Sequence, residues 1–409
     1  MNPENSALIQ VEHNTYEEAF RSAAEEAATT MATIAPTVMY CQGTRSYLTT
    51  AFPLGYVAER VRIDALARGA NADEHYNRPL IAEHHRAITA YLTSQDDYVL
   101  PPLSLCVQDP LRCHIPRSSS AVKLGVIVLP TSIVYNITDG QHRVKALRDA
   151  LSQKEKMGED GIGVTIVVEN DMEKIHQLFW DCAQTKSIPQ SLLTAYNKRD
   201  PLARLVREVC EQVPVFNGRI EQISKTVGKS SINVFTLNQL RIGIAEILTG
   251  DASQATLSLR KDMATMLGSE QAKEEHRKYI VDFYNTFSLA NVEWSELLGA
   301  GDPALGAVDT DALRHRFVHF TGTGLTVIGR LGFFVRNYPS AERERLIEAL
   351  ARQIDWSRDA DIWQGNAVLS GRMNGQRAAV EVAVMKIKAQ LGIPISNQEQ
   401  KRAMRRRAR

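Results

Sequence analysis

The sequence predicts an α+β protein, and three observations indicate this class. Strand-like runs such as 132–137 and 163–169 alternate with helical segments in the first half of the chain. Strand patterns then nearly vanish, and helical periodicity dominates from about residue 187 onward. A chain of 409 residues is also too long for one small core. We therefore predict three parts: an α+β domain over 1–187, a mostly α-helical domain over 188–395, and a basic, disordered tail over 396–409.

The composition limits the classes of protein that the chain can belong to. Apolar residues make up 44% and charged residues 23%, which is typical of a globular protein. No apolar run is long enough to predict a membrane span, and the polar N-terminus is not typical of a signal peptide. The five cysteines include no Cys-x-x-Cys pair, which favours a reducing cytoplasm and no structural metal site. The net charge of +1 gives no global signature of nucleic-acid binding.

The first half of the chain is predicted to contain strands and helices in alternation. Ala- and Glu-rich residues predict a helix over 16–35, which Pro36 should end. Two prolines interrupt the extended segment 98–107, so we predict an edge or entry strand there, followed by a hairpin over about 121–137. The remaining predicted elements are strands at 37–43, 46–52 and 163–169, and helices at 54–70, 82–93 and from Asp171 to Gln184.

The second half is predicted to be helical because apolar residues recur there at helical spacing. The predicted helices cover residues 202–214, 236–249, 271–287, 311–320, 341–354 and 376–391.

The most informative stretch is the five-residue box Asp-Gly-Gln-His-Arg at residues 139–143. An alternating apolar run precedes it and an amphipathic run follows it, so the box is predicted to turn from a strand end into a helix start. A helix start offers unpaired backbone N–H groups and the positive end of the helix dipole. Phosphates are stabilised at such a position.

Each residue type in the box suits this role. Asp139 can cap the helix, and Gly140 lets the backbone turn sharply or approach a ligand closely. Arg143 can offer a planar fork of donors to a phosphate, and His142 can donate or act as an acid or base. The alternative interpretation is an ordinary Asp-Gly turn and cap with a solvated first helical turn.

The box, followed by Ala146, resembles the signature of the DGQHR-domain family. That resemblance implies a ParB/sulfiredoxin-like N-terminal domain whose box contacts nucleotide phosphates. It assigns Gly140, Gln141 and Arg143 to nucleotide binding, together with Arg78 from an earlier segment. Arg78 is equally well explained as a surface residue before a helix that starts near a proline. Because Gln141 stands where sulfiredoxins carry a catalytic cysteine, sulfinic-acid reductase chemistry is not expected.

A second resemblance rests on longer segments. Residues 198–209, preceded by Gln-Thr-Lys at 184–186, are similar to the DndB family, which is tied to DNA phosphorothioate (sulfur) modification. The late segment 354–358 and the residues Trp363, Gly365, Gly371 and Arg372 carry the same resemblance. It implies a cytoplasmic bacterial repressor that binds the promoter of a phosphorothioation gene cluster.

Double-stranded DNA is therefore the predicted partner, and the helical second half would read it. The best candidates for the reading helix are 198–212 and 236–249. Arg199, Arg204 and Arg207 lie on or near the first of these, and Arg204 and Arg207 are three residues apart and share a face. We expect a homodimer because repressors commonly read two-fold symmetric sites.

Two other functions remain open at this stage. The first is a nucleotide-hydrolysing enzyme, an ATPase accessory to DNA modification and restriction, that uses ATP with Mg²⁺. In that case Arg143 and Arg78 would contact the phosphates, while Asp139 and His142 would be catalytic, with Asp139 a ligand of Mg²⁺. Nucleotide binding and DNA binding can also both hold, with the nucleotide as a switch. The second is a scaffold that contacts other phosphorothioation proteins.

Three further patterns carry less weight. Val-Gly-Lys-Ser at 227–230 lacks the earlier glycine of a phosphate-binding P-loop, and Gly322-Thr323-Gly324 lacks the third glycine of a dinucleotide site. Gly322-Thr323-Gly324 is instead expected to ease contacts between helices. The basic tail over 401–409 is typical of a solubilising tail, of a DNA-backbone contact or of an addition made for expression, and it cannot give sequence specificity by itself.

Overall fold

A computed structural model describes residues 8–64, 80–183, 188–251, 263, 265–299 and 308–396. The chain forms two compact units, Met1–Lys186 and Ser187–Arg409. The predicted α+β class is confirmed, because the first unit is built on a sheet with helices and the second is mostly helical. Arg78, the 184–186 segment and the basic tail over 401–409 lie outside the described residues.

A nine-stranded mixed sheet forms the first unit, with its strands in the order β1-β6-β7-β2-β3-β9-β5-β8-β4. The strands are β1 Leu8–His13, β2 Ala32–Gln42, β3 Arg45–Pro53, β4 Val61–Arg62, β5 Leu103–Val107, β6 Leu111–Pro116, β7 Val122–Pro130, β8 Tyr135–Asp139 and β9 Gly161–Val168. The helices are α1 Tyr16–Thr30, α2 Leu54–Arg60, α3 Ala82–Ser94, α4 Gln141–Leu151 and α5 Met172–Ala183.

Helices cover both faces of this sheet, and the side chains of β7 show how. Val126 and Val128 pack with Ala23 and Ala27 of α1 on one face. Ile127 and Leu129 belong to the main core on the other face, because successive side chains of a strand point to opposite sides. That main core also contains buried side chains of α2, α3 and α4. The helix that follows the box is therefore held against the sheet by apolar packing.

The predicted helix over 16–35 is too long. The observed α1 ends at Thr30, where Met31 adopts a left-handed conformation with φ +50°, and β2 begins at once. Pro36 lies inside β2 and does not end a helix. A proline is tolerated there because β2 pairs with β3 only from Val38 onward, so the missing N–H leaves no gap in that ladder.

Two further topology predictions need correction. The strand near the two prolines is not an edge strand: it covers only Leu103–Val107, directly after the prolines, and lies inside the sheet between β9 and β8. The predicted hairpin over 121–137 does not form, since β7 pairs with β6 and β2 whereas β8 pairs with β5 and β4. Strand pairing depends on distant partners, which local patterns do not reveal.

Helices and two short strand pairs form the second unit. The helices are α6 Gln190–Tyr196, α7 Pro201–Gln212, α8 Leu237–Thr249, α9 Glu270–Ala290, α10 Val292–Gly299, α11 Thr310–Arg316, α12 Gly322–Val335, α13 Ser340–Gln353 and α14 Arg377–Gln390. The strand pairs are β10 Ile220–Glu221 with β11 Phe235–Thr236, and β12 Val368–Leu369 with β13 Arg372–Met373.

One aromatic-rich core holds these helices together, with Trp294, Trp356 and Trp363 all buried. All six helices predicted from periodicity are present, and α6, α10 and α12 were not predicted. In the described part of the chain, every helix is too short or too polar to cross a bilayer.

Candidate functional site

The box lies where the sequence places it, between a strand end and a helix start. Strand β8 ends at Asp139, Gly140 makes the turn and α4 begins at Gln141. The expected helix cap by Asp139 is not formed: the cap position is Gly140, which has no side chain to offer. The Asp139 carboxylate instead accepts a hydrogen bond from Arg143 at 2.6 Å.

Gly140 is required at the turn for two reasons. Its φ of +106° lies in the left-handed region, which other residues rarely adopt. A Cβ at this position would also lie 2.5 Å from a methyl carbon of Leu103 and 3.1 Å from Cζ and Nε of Arg143. The backbone of the box therefore lies directly under the Arg143 guanidinium.

Three groups of the protein hold the Arg143 fork in this structure. Its Nη1 donates to the carbonyl oxygens of Pro101 at 2.8 Å and Pro102 at 2.6 Å, and its Nη2 donates to Asp139. Three of the five guanidinium N–H groups are thus engaged within the protein. An anion that recruits this fork competes with those partners.

His142 joins the starts of two helices. It is buried, and its Nε2 accepts a hydrogen bond from the backbone N–H of Ile81 at 2.9 Å. This bond assigns the ring proton of a neutral His142 to Nδ1. The His142 ring also packs against His84, with ring centres 4.7 Å apart. The structure thus gives His142 a structural contact, and its catalytic role stays a prediction.

Ile81 is the cap residue of α3, so α3 and α4 both begin at the box. Neither cap residue, Ile81 or Gly140, caps its helix with its own side chain. Each helix start carries about half a positive charge from its aligned peptide dipoles, and the two starts lie within hydrogen-bonding reach of each other. Gln141, buried in the first turn of α4, completes the box. The arrangement favours an anion such as a phosphate.

The Asp139 carboxylate lies at the rim of this site, because the Asp139 side chain is 58% exposed. Across the described residues, no group of three or more His, Cys, Asp and Glu side chains could hold a metal ion by itself. Mg²⁺ bound to nucleotides commonly takes one or two carboxylates and completes its coordination with phosphate oxygens and water. Asp139 could therefore hold Mg²⁺ only together with nucleotide phosphates, and this ligand role stays a prediction.

The three arginines predicted to contact DNA have different surroundings. Arg199 precedes α7 and is exposed, and Arg204 is exposed on α7 itself. Arg207 is half-buried, and its Nη1 donates to the carbonyl oxygens of Thr194 at 3.0 Å and Asn197 at 3.3 Å. Arg207 therefore ties α7 to the end of α6, and its DNA contact stays a prediction together with those of Arg199 and Arg204.

The partners of the box residues were not predicted from the sequence. The carbonyls of Pro101 and Pro102 hold Arg143, and the Ile81 backbone and His84 contact His142. One signal was present in the sequence. Two consecutive prolines donate no backbone hydrogen bonds, so they interrupt a strand ladder and leave two carbonyls for other donors.

Comparison with known proteins places these features in a family. No curated protein and no solved structure matches the chain. The family model described as DndB, DNA-sulfur modification-associated, matches residues 35–394, which cover the box, the Pro101–Pro102 segment and nearly all of the second unit. The chain therefore belongs to the DndB family of DNA-sulfur modification-associated proteins.

Proposed function

We propose that this protein is a DNA-binding transcriptional regulator of a DNA phosphorothioate modification gene cluster, and that its Asp139–Arg143 box binds a nucleotide. Family membership over residues 35–394 supports the link to DNA sulfur modification. The observation that carries the nucleotide assignment is that α3 and α4 both begin at the box and that neither cap residue caps its helix with its own side chain. We also propose that the first unit has the ParB/sulfiredoxin-like fold.

In this proposal a phosphate of ATP lies at the start of α4, against the Gly140 backbone. Gly140 suits close approach because even a methyl group would clash there. Arg143 donates to the phosphate, Gln141 supports the first turn, and Asp139 holds the accompanying Mg²⁺. Arg78 remains a proposed second phosphate ligand.

For the DNA partner, we propose that Arg199 and Arg204 contact the phosphate backbone, with Arg207 holding the α6–α7 corner that presents them. Both exposed side chains can reach a duplex without breaking the Arg207 contacts. A homodimer would bring two such corners to a two-fold symmetric promoter site. Other phosphorothioation proteins are proposed as further partners.

The test is binding to the promoter of the protein's own gene cluster, compared with unrelated DNA of equal length, across a salt titration. Wild-type protein should prefer the promoter and retain that preference at moderate salt. The double substitution Arg199→Ala and Arg204→Ala removes two phosphate contacts. It should lower the slope of log affinity against log salt by roughly two, with weaker binding to both DNAs.

Arg345→Ala is the control variant, because it removes another solvent-facing arginine of the second unit, one that pairs with Glu342. It should leave the promoter affinity unchanged. The same titrations with ATP and Mg²⁺, and with Arg143→Ala, test whether the nucleotide changes DNA affinity. Equal, salt-labile binding to every DNA, with steady phosphate release that Arg143→Ala abolishes, would contradict the regulator and indicate an ATPase.

A further inference from the structure

The segment over residues 95–102, which we call the strap, joins the end of α3 to the start of β5. Besides Arg143, side chains from outside the strap hold it at several places, among them the salt bridge from Lys154 to Asp96 at 3.3 Å. The Tyr98 hydroxyl donates to the Asp160 carboxylate, and the backbone N–H of Val99 donates to the Tyr91 hydroxyl at 2.8 Å. Apolar burial contributes little along much of the strap, since Val99 is 75% exposed and both prolines are exposed.

Arg143 supplies a further contact with the strap, and it belongs to the box. Its Nη1 donates to both proline carbonyls, while the guanidinium lies over the Gly140 backbone. The Arg143 side chain thus holds the strap in place and covers the position where a phosphate would approach α4. The Asp139 carboxylate balances the charge of Arg143 in this arrangement.

Moving the Arg143 guanidinium from the strap carbonyls to a phosphate costs little free energy. Charge-assisted bonds from arginine to phosphate are about twice as strong as bonds between neutral groups. The Asp139 carboxylate is largely exposed, so its ion pair with Arg143 contributes little. The two prolines are exposed as well, so their carbonyls can accept hydrogen bonds from water once Arg143 leaves.

We infer that phosphate binding at the start of α4 transfers Arg143 from the carbonyls of Pro101 and Pro102 to the ligand and thereby releases the strap. The inference rests on the proposed nucleotide site and adds its regulation. Nucleotide binding thereby changes the hydrogen bonding of an exposed segment of the first unit. Arg143 is a positioning residue for the strap in one state and a phosphate ligand in the other.

Hydrogen–deuterium exchange of the full chain tests this, with calorimetry of ATP binding under the same conditions. The strap amides, Val99 above all, should exchange at least threefold faster when wild-type protein is saturated with ATP and Mg²⁺. Inorganic phosphate in place of ATP shows whether phosphate alone is enough. Arg143→Ala should raise the strap exchange without any ligand and remove the response to ATP.

Arg143→Lys keeps the charge but cannot bridge two carbonyls and a carboxylate, so it should loosen the strap as well. Arg86→Ala is the matched control, because it removes an exposed arginine of α3, and it should leave the strap exchange unchanged. If ATP binds wild-type protein and the strap exchange stays constant, the inference is wrong and the nucleotide site stands. If calorimetry detects no ATP binding, both the inference and the nucleotide site are wrong.

Discussion

His319 shows how one buried residue makes the second unit sensitive to acid. It is fully buried among aromatic rings, with the ring centres of Phe320 at 4.6 Å and Trp356 at 5.4 Å. Neither ring nitrogen has a hydrogen-bond partner in the described residues, and the Glu293 carboxylate is 3.6 Å away, beyond hydrogen-bonding distance. Burial therefore lowers the pKa of His319 from 6.5 to about 3.

This shift predicts the direction of the pH dependence. Below pH 6.5 the unfolded chain binds a proton at His319 that the folded chain does not, so stability is lost as the pH falls. The free energy of unfolding of wild type should fall by about 2 kcal/mol more between about pH 7 and pH 5 than that of His319→Phe. Urea denaturation followed by tryptophan fluorescence suits the measurement, because three of the four tryptophans lie in the second unit.

His315→Asn, at an exposed position of α11, is the control and should keep the wild-type pH dependence. Equal losses of stability in wild type and His319→Phe would show that the imidazole is protonated in the folded protein.

At the scale of elements, α12 is a helix that the local sequence pattern does not predict. Its sequence carries four glycines, which weaken a helix prediction. The packing explains two of them: a Cβ on Gly324 would lie 2.0 Å from the Val318 carbonyl oxygen, and one on Gly329 would lie 2.3 Å from that of Gly243. These glycines let α12 approach its neighbours closely, which agrees with the expectation that Gly322-Thr323-Gly324 eases helix contacts.

Gly329→Ala should therefore destabilise the second unit by at least about 2 kcal/mol, because α8 must move away to admit the methyl group. Gly299→Ala is the matched control: a Cβ there would have no neighbour within 4 Å, and the residue ends α10. Thermal unfolding of both variants gives the comparison. Similar melting temperatures for Gly329→Ala and Gly299→Ala would mean that the α8–α12 contact admits the methyl group without loss of stability.

At the scale of the whole molecule, the chain divides at residues 186 and 187 into units with separate hydrophobic cores. Within the described residues, every core cluster draws its buried side chains from one unit only. We therefore predict that fragments 1–187 and 188–396 fold independently. Circular dichroism should show a helical, cooperatively melting 188–396 fragment.

A fragment that begins at residue 188 and ends at residue 251 is the control, because it keeps α6 to α8 and loses most of the core they pack against. It should not melt cooperatively. A 188–396 fragment that behaves in the same way would contradict the two-domain prediction.

Local patterns in the sequence were enough for some conclusions. The alternation of strand and helix signals, the helical second half and the position of the box between β8 and α4 follow from side-chain periodicity and turn residues, which act over a few neighbours. Family membership also came from contiguous motifs and is confirmed by the family model.

Only the tertiary structure decided which distant groups meet. It placed β5 inside the sheet, separated β7 from β8, brought α3 to the start of α4 and set Arg143 against the Pro101 and Pro102 carbonyls. The physical reason is that strand order, helix approach and hydrogen-bond partners depend on groups tens of residues apart, whose separation leaves no local pattern. The sequence by itself thus determined the elements and the family, and the packing of those elements decided what surrounds the site.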